Sequence, residues 1–270
     1  MNRIAQTFIR LHDQRKKALV TYITAGDPCL SFTLQAMHEL VEAGADILEI
    51  GFPFSEPVAD GPVIQRAVER SLRAGTTLSQ VLDMVGLFRK SNQTTPVVLM
   101  GYFNPLFHLG VELFAEKAAK MGVDGVLVVD LPVEITEPLH SALEQRGVEN
   151  IFLLTPTTPR ERARIVVQKA GGYLYYVSVK GVTGSHQMDT QEVRNRLKEL
   201  RPQLEGLPLV VGFGVRQKRD VRLLCQAADG IVVGSRLIEE IEKAGEAALP
   251  ALGKVVRELK EATAGLGVEG

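Results

Sequence analysis

The chain has 270 residues, of which 45% are hydrophobic and 23% charged, with 31 Lys plus Arg against 32 Asp plus Glu. The resulting net charge of −1 supplies no general pull toward nucleic acid or an anionic membrane, and leaves room only for a local site for a phosphorylated small molecule. Two cysteines, Cys29 and Cys225, exclude a disulfide scaffold or a Cys-rich zinc module and read as reduced thiols of a cytoplasmic protein. No apolar run approaches the roughly 20 residues of a membrane span.

The first segment, Met1 to Lys17, carries charges throughout and has no signal-peptide core. Ile4, Phe8 and Leu11 fit one face of a short amphipathic helix packed over one end of the domain. Short apolar, β-branched runs then follow at Leu19–Ile23, Ile47–Ile50, Val97–Tyr102, Val126–Val129, Ile151–Leu154, Tyr173–Ser178, Leu209–Phe213 and Gly230–Val233. Helical faces separate them: Leu34, Met37, His38, Leu40 and Val41; Ile64, Val68 and Leu72; Phe114, Ala115, Ala118 and Met121. Leu237, Ile238 and Ile241 open a last helical region ending near Leu259. Gly44, Gly122, Gly147 and Gly171 stand where helix C-caps belong.

Nearly all-apolar strands, each followed by a helix, imply a parallel sheet covered on its outer face. No composition shift, linker or low-complexity tract divides the chain, so residues 1–270 read as one domain. The expected fold is a single-domain (β/α)8 TIM barrel with an extra N-terminal helix. An open doubly wound sheet would need a Gly-x-Gly-x-x-Gly turn after the first strand, where the chain instead reads Thr24-Ala25-Gly26-Asp27-Pro28. Between the second and third runs lie roughly 45 residues, where about 20–30 is usual for a βα repeat. That stretch opens with the proline-rich loop Phe52–Asp60 and continues with two helical stretches.

Barrel enzymes place their sites at the C-terminal ends of the strands. Glu49 stands there in an otherwise apolar strand, Asp46-Ile47-Leu48-Glu49-Ile50-Gly51. A carboxylate so placed is either satisfied structurally or has a raised pKa and a function. Asp60, before Gly61-Pro62, reads by itself first as a helix N-cap, with a second acid as the alternative. Gly212-Phe213-Gly214 ends the seventh run, Gly234-Ser235 ends the eighth, and Gly181-Val182-Thr183-Gly184 follows the sixth. Glycines after strands seven and eight, with a helix N-terminus behind them, make a phosphate cradle. The five histidines are scattered, with no metal-ligand spacing, so no metal is expected. No Gly-x-Ser-x-Gly elbow appears. Lys180, directly after the sixth run, is placed where a Schiff-base aldolase holds its lysine, but its glycine-rich surroundings suit an ordinary charged side chain.

The segment Leu48-Glu49-Ile50-Gly51-Phe52-Pro53-Phe54-Ser55-Glu56-Pro57-Val58-Ala59-Asp60-Gly61-Pro62 resembles the signature of the tryptophan synthase alpha subunit family. Tyr22-Ile23-Thr24-Ala25-Gly26-Asp27-Pro28, Tyr102-Phe103-Asn104-Pro105, Asp130-Leu131-Pro132 and the three glycine motifs extend the resemblance over essentially the whole chain. It implies retro-aldol cleavage of indole-3-glycerol phosphate to indole and glyceraldehyde 3-phosphate, with no metal or organic cofactor in this chain. It implies Glu49 as the acid and base, Asp60 as partner of the ring N–H, and Tyr175 as a supporting residue. Thr183, Gly184, Phe213, Gly214, Gly234 and Ser235 would hold the phosphate end. Tyr22, Met100, Leu127, Val129, Leu153 and Val232 would surround the indole. It further implies an α2β2 complex whose beta subunit binds pyridoxal phosphate and receives the indole. Pro53, Glu56, Pro57, Asn104 and Pro132 would lie on the contact face, and loops Phe52–Asp60 and Val179–His186 would close over substrate. The chain departs from the family at Glu56, where Asp is usual, at Lys180 and His186, and at Val129, where a smaller residue or proline is common. A stand-alone lyase, a Lys180 aldolase and an inactive barrel that only activates a partner are the other readings.

Overall fold

The computed structural model describes residues 2–177, 190–212 and 217–264. Eight parallel strands close into a barrel in sequence order. They are β1 (Ala18–Thr24), β2 (Ile47–Gly51), β3 (Val97–Gly101), β4 (Gly125–Val128), β5 (Glu149–Leu154), β6 (Leu174–Val177), β7 (Leu209–Gly212) and β8 (Gly230–Val233). Every expected run is a strand, with ends shifted by a residue or two. Closure comes from β1 pairing with both β2, through Tyr22 opposite Glu49, and β8, through Val20 opposite Val232.

The N-terminal helix α1 (Arg3–Asp13) buries Ile4 and Leu11. The Ile4 Cδ1 atom lies within van der Waals reach of Gly125 and Gly172, at the start of β4 and just before β6. α1 therefore closes the N-terminal end of the barrel, opposite the end where the loops gather. The outer layer follows as α2 (Leu30–Glu42), α3 (Pro62–Arg73), α4 (Leu78–Arg89), α5 (Phe103–Leu109), α6 (Val111–Met121), α7 (Glu137–Glu144), α8 (Arg160–Lys169), α9 (Thr190–Leu200), α10 (Lys218–Leu224), α11 (Ser235–Ala244) and α12 (Leu249–Lys260).

Three expectations need correction. On α3 the buried stripe is Ala67, Val68 and Ser71, while Leu72 is exposed, because Ser71 turns inward to donate to the Ala25 carbonyl at 2.6 Å. The last helical region spans its expected length but runs as two helices joined by a 3-10 turn at Gly245–Ala248, with Gly245 at a φ of 55°. Of the four expected capping glycines, Gly44, Gly122 and Gly147 have positive φ, but α8 ends on Ala170 in extended backbone, and the positive φ before β6 belongs to Gly172 rather than Gly171.

The closed end is stitched by three aspartates that precede strands. Asp46 accepts from the Leu19 N–H at 2.8 Å, Asp124 from the Val97 N–H at 2.8 Å, and Asp229 from the Leu209 N–H at 2.9 Å. Each thus satisfies an amide at the start of the preceding strand, the first for Asp124 and Asp229 and the second for Asp46, and each is paired with a cation. Asp46 pairs with Lys260, Asp124 with Arg89 at 2.7 Å and Arg3 at 2.9 Å, and Asp229 with Lys17 and Arg201. Arg89 is itself buried. Removing one member of such a pair leaves an uncompensated buried charge. Asp124→Ala should therefore lower stability by about 3–5 kcal/mol in urea unfolding; a loss below about 1 kcal/mol would show that water reaches Arg89.

Candidate active site

Along β2, alternate side chains point into the barrel, and Glu49 takes the inward position beside Tyr22 of β1. The inner wall is crowded by tyrosine rings, and glycines make the room. A Cβ on Gly51 would sit 2.2 Å from the Tyr22 hydroxyl, and one on Gly212 would sit 2.1 Å from the Tyr175 hydroxyl. These contacts explain glycine at two strand ends where no turn demands it.

Glu49 is fully buried. Its Oε1 accepts one long hydrogen bond, 3.4 Å from the Tyr173 hydroxyl, and its Oε2 has no partner. Among the described residues no cation pairs with it. Burial therefore pushes its pKa up to about 8, with the Tyr173 hydrogen bond opposing only in part. Near neutral pH this side chain holds a proton that it can release.

Asp60 closes the proline-rich loop, and the helix-cap reading fails. The N-cap of α3 is Gly61, with Pro62 in the first turn, and no side chain caps it. The Asp60 carboxylate instead accepts at 3.1 Å from the Tyr102 hydroxyl, whose oxygen accepts from the Ala59 N–H at 2.9 Å. Tyr102 thus holds two consecutive residues of the loop, with its ring against Phe54 at 5.3 Å. Burial pushes Asp60 up to about 6, and the Tyr102 hydrogen bond opposes the shift. The two acids face common neighbours. Tyr22 and Tyr175 both have raised pKa values, first through burial and then through the charges of Glu49 and Asp60. Both phenols stay neutral.

Tyr22, Met100, Val129 and Asp60 line one small cavity of about 10 Å³, together with Phe52, Phe54 and Tyr102. That is space for about one water molecule. Leu127 and Val232 are buried in the wall and Leu153 is half-buried. Gly234 ends β8 and forms the N-cap of α11, which begins at Ser235; no side chain caps this helix. Its first amides are therefore available to an anion at the barrel mouth. Thr183, Gly184, Phe213, Gly214 and Lys180 lie outside the described residues. Of the expected contact residues, Glu56, Asn104 and Pro132 are exposed and Pro57 half-buried, but Pro53 is buried beneath its loop. Asn104 sits within α5 rather than on a loop. Sequence reasoning missed Tyr102 and Tyr173 as partners of the acids. The only signal was a phenol at the end or beginning of an apolar run.

Among the described residues no three His, Cys, Asp or Glu side chains are grouped to hold a metal ion, and no helix is long and apolar enough to cross a membrane.

Comparison with known proteins agrees with this geometry. Residues 8–264 match the family model described as tryptophan synthase alpha chain. The tryptophan synthase alpha chain of Neisseria meningitidis serogroup B is 49% identical over 97% of this chain and 99% of its own length. That of Chromobacterium violaceum is 51% identical over 97% and 99%. Among solved structures, the alpha chain from Legionella pneumophila superposes with a TM-score of 0.90 at 42% identity, covering 99% of both chains. A chain of the tryptophan synthase complex from Pyrococcus furiosus does so with a TM-score of 0.82 at 36% identity, over 90% of this chain and 98% of that one. With a buried, cation-free acid on β2, a second acid on the loop that follows it, and matches over nearly its full length, this chain belongs to the tryptophan synthase alpha chain family.

Proposed function

We propose that this chain cleaves indole-3-glycerol phosphate with Glu49 and Asp60 dividing the proton chemistry. The observation that carries the reading is a Glu49 carboxyl group that is fully buried, without a cation, and raised to about 8. It is an acid at the pH where the reaction must run.

An indole carbanion is too poor a leaving group, so the ring carbon at the scissile bond must gain a proton first. Glu49 gives that proton to the ring carbon. The positive charge then spreads to the ring nitrogen, whose N–H donates to the Asp60 carboxylate. Glu49, now a carboxylate, takes the proton from the hydroxyl on the neighbouring carbon. That oxygen becomes the aldehyde carbonyl, the carbon–carbon bond breaks, and its electron pair returns to the ring. Indole and glyceraldehyde 3-phosphate leave, and Glu49 is again protonated. No electrons are gained or lost overall. Asp60 must be ionised and Glu49 protonated at the start, which is the order their environments impose.

The phosphate would rest on the first amides of α11 at Gly234 and Ser235, with Thr183, Gly184, Phe213 and Gly214 completing the cradle. The indole would take the slot lined by Tyr22, Met100 and Val129. Tyr175 would keep a neutral ring between the two acids. Phe52, Phe54 and Asp60 of the Phe52–Asp60 loop line that slot, so the loop would shift as a bicyclic ring enters. This places substrate entry under control of the segment Tyr102 holds. The exposed Glu56, Asn104 and Pro132 fit a contact face for the tryptophan synthase beta subunit, which receives the indole and carries the pyridoxal phosphate in an α2β2 assembly. Within that division of labour this chain needs no cofactor of its own and works in the cytoplasm.

Glu49→Gln should cut indole release by about 10²-fold or more while leaving phosphate binding intact; near-native release would end the mechanism. The variant also reports on burial. A carboxyl group raised in the folded state binds its proton more tightly there than when unfolded, so the wild type loses stability as pH rises from about 4.5 through about 8. In denaturant titrations the difference should open in favour of the variant between pH 5 and 9, by about 3–5 kcal/mol.

The kcat/KM profile should rise through about pH 6 as Asp60 ionises and fall through about pH 8 as Glu49 loses its proton. Tyr102→Phe removes the hydrogen bond that opposes the Asp60 shift, so the acid limb should move upward. An unmoved limb would assign it to the substrate phosphate instead. Indole release should also speed up on adding the cognate beta subunit, whereas equal rates with and without it would mark a stand-alone lyase.

A further inference from the structure

At the closed end of the barrel, beneath α1, lies a second and much larger cavity of about 530 Å³. That is within the range of small-molecule pockets, roughly 300–1,000 Å³. Phe8, Leu11, Leu207 and Pro208 give it an apolar wall, and Glu149 at the start of β5 supplies a carboxylate.

Glu149 differs from the other acids of this end. Asp46, Asp124 and Asp229 each have a strand amide and a cation. Glu149 is half-buried and, among the described residues, its carboxylate has neither a hydrogen-bond donor nor an ion-pair partner. Lys17 and Arg201 line the same cavity but are both committed to Asp229. The backbone makes room for this carboxylate, since a Cβ on Gly171 would stand 2.0 Å from Glu149 Oε2. Its pKa is raised by burial first and by nearby Asp124 second. A cation placed beside it would relieve both. Lys16, also on the lining, is exposed and offers an anion a solvent-screened contact.

The cavity also touches the catalytic wall from behind. The Phe8 ring packs on Tyr173 at 6.0 Å between centroids, and Tyr173 donates to Glu49. We propose that this cavity is a second ligand site, for a small amine with an apolar ring-sized body, whose ammonium group meets Glu149 and whose body presses on Phe8 and so on the Tyr173–Glu49 contact. The link to turnover, though not the binding, rests on the role given to Glu49 above, and the Glu49→Gln assay judges that role separately.

The test uses the full chain with 2-phenylethylamine and, as its anionic counterpart, 3-phenylpropionate. In ¹H–¹⁵N NMR titrations the amine should bind with a Kd of about 1 mM or tighter. It should shift the amides of Phe8, Gly172 and Leu207 rather than those at the strand C-terminal ends. Glu149→Gln should weaken it by about tenfold. Ile9→Trp, a change at a half-exposed cavity position, should block it by filling the space. At saturation with amine, kcat should fall while KM for indole-3-glycerol phosphate stays unchanged. No binding at about 10 mM, equal binding of the acid, or full retention in Glu149→Gln would overturn the site. Unchanged kcat in the saturated enzyme would overturn its link to Glu49.

Discussion

One carboxyl group held in the barrel wall without a counter-charge sets the terms for the rest of the molecule. Glu49 has a single long hydrogen bond and an orphan oxygen. A buried ionised acid in that condition is costly, and the cost is what keeps the proton on. The aspartates of the closed end show the opposite solution with the same functional group. Asp46, Asp124 and Asp229 are tied to amides and cations, and so lock strands together. The fold thus separates two uses of acid by depth. Charge is paired at Asp46, Asp124 and Asp229, which tie strands together, and left unmatched at Glu49, where the proposed mechanism moves a proton.

The tyrosines make this possible. Tyr22, Tyr173 and Tyr175 fill the interior around Glu49 and exclude water, and their own pKa values are raised so far by burial and by the acids that they stay neutral. Such a ring can pack as a hydrophobe and still donate one hydrogen bond. The glycines at 51 and 212 are the complement of those rings. Together they put a nearly dry wall around an acid without adding any positive charge.

The barrel was readable from the chain because parallel strands buried on both faces leave continuous apolar runs, and all of them recur here. The N-terminal helix was readable from the Ile4, Phe8 and Leu11 spacing. Glu49 stood out as a charge inside such a run. Asp60 did not, since an acid before Gly-Pro suits a helix start better than a site; only the resemblance raised it above that, and the Tyr102 contact gives it a physical partner. The partnerships of Tyr102 and Tyr173 were hidden because they join residues 42 and 124 positions apart, and spacing along the chain carries no trace of them. The aspartate stitches had a faint trace, an Asp directly before an apolar run at 46, 124 and 229, whose meaning appears only when an amide at the start of the preceding strand comes alongside. Leu72 was misplaced because Ser71, a small polar residue, found an inward carbonyl and turned the helix face with it.

The Tyr102 hydroxyl grips both the backbone of Ala59 and the carboxylate of Asp60. A carboxylate is a stronger acceptor than a carboxylic acid. The clasp on the mouth of the barrel is therefore tightest when Asp60 is charged and slackens when it takes a proton. Gate and charge are one equilibrium, and in a mildly acidic medium the entrance loosens at the same moment that Asp60 gives up the anion the proposed mechanism calls on, so under that mechanism an open door coincides with an idle enzyme.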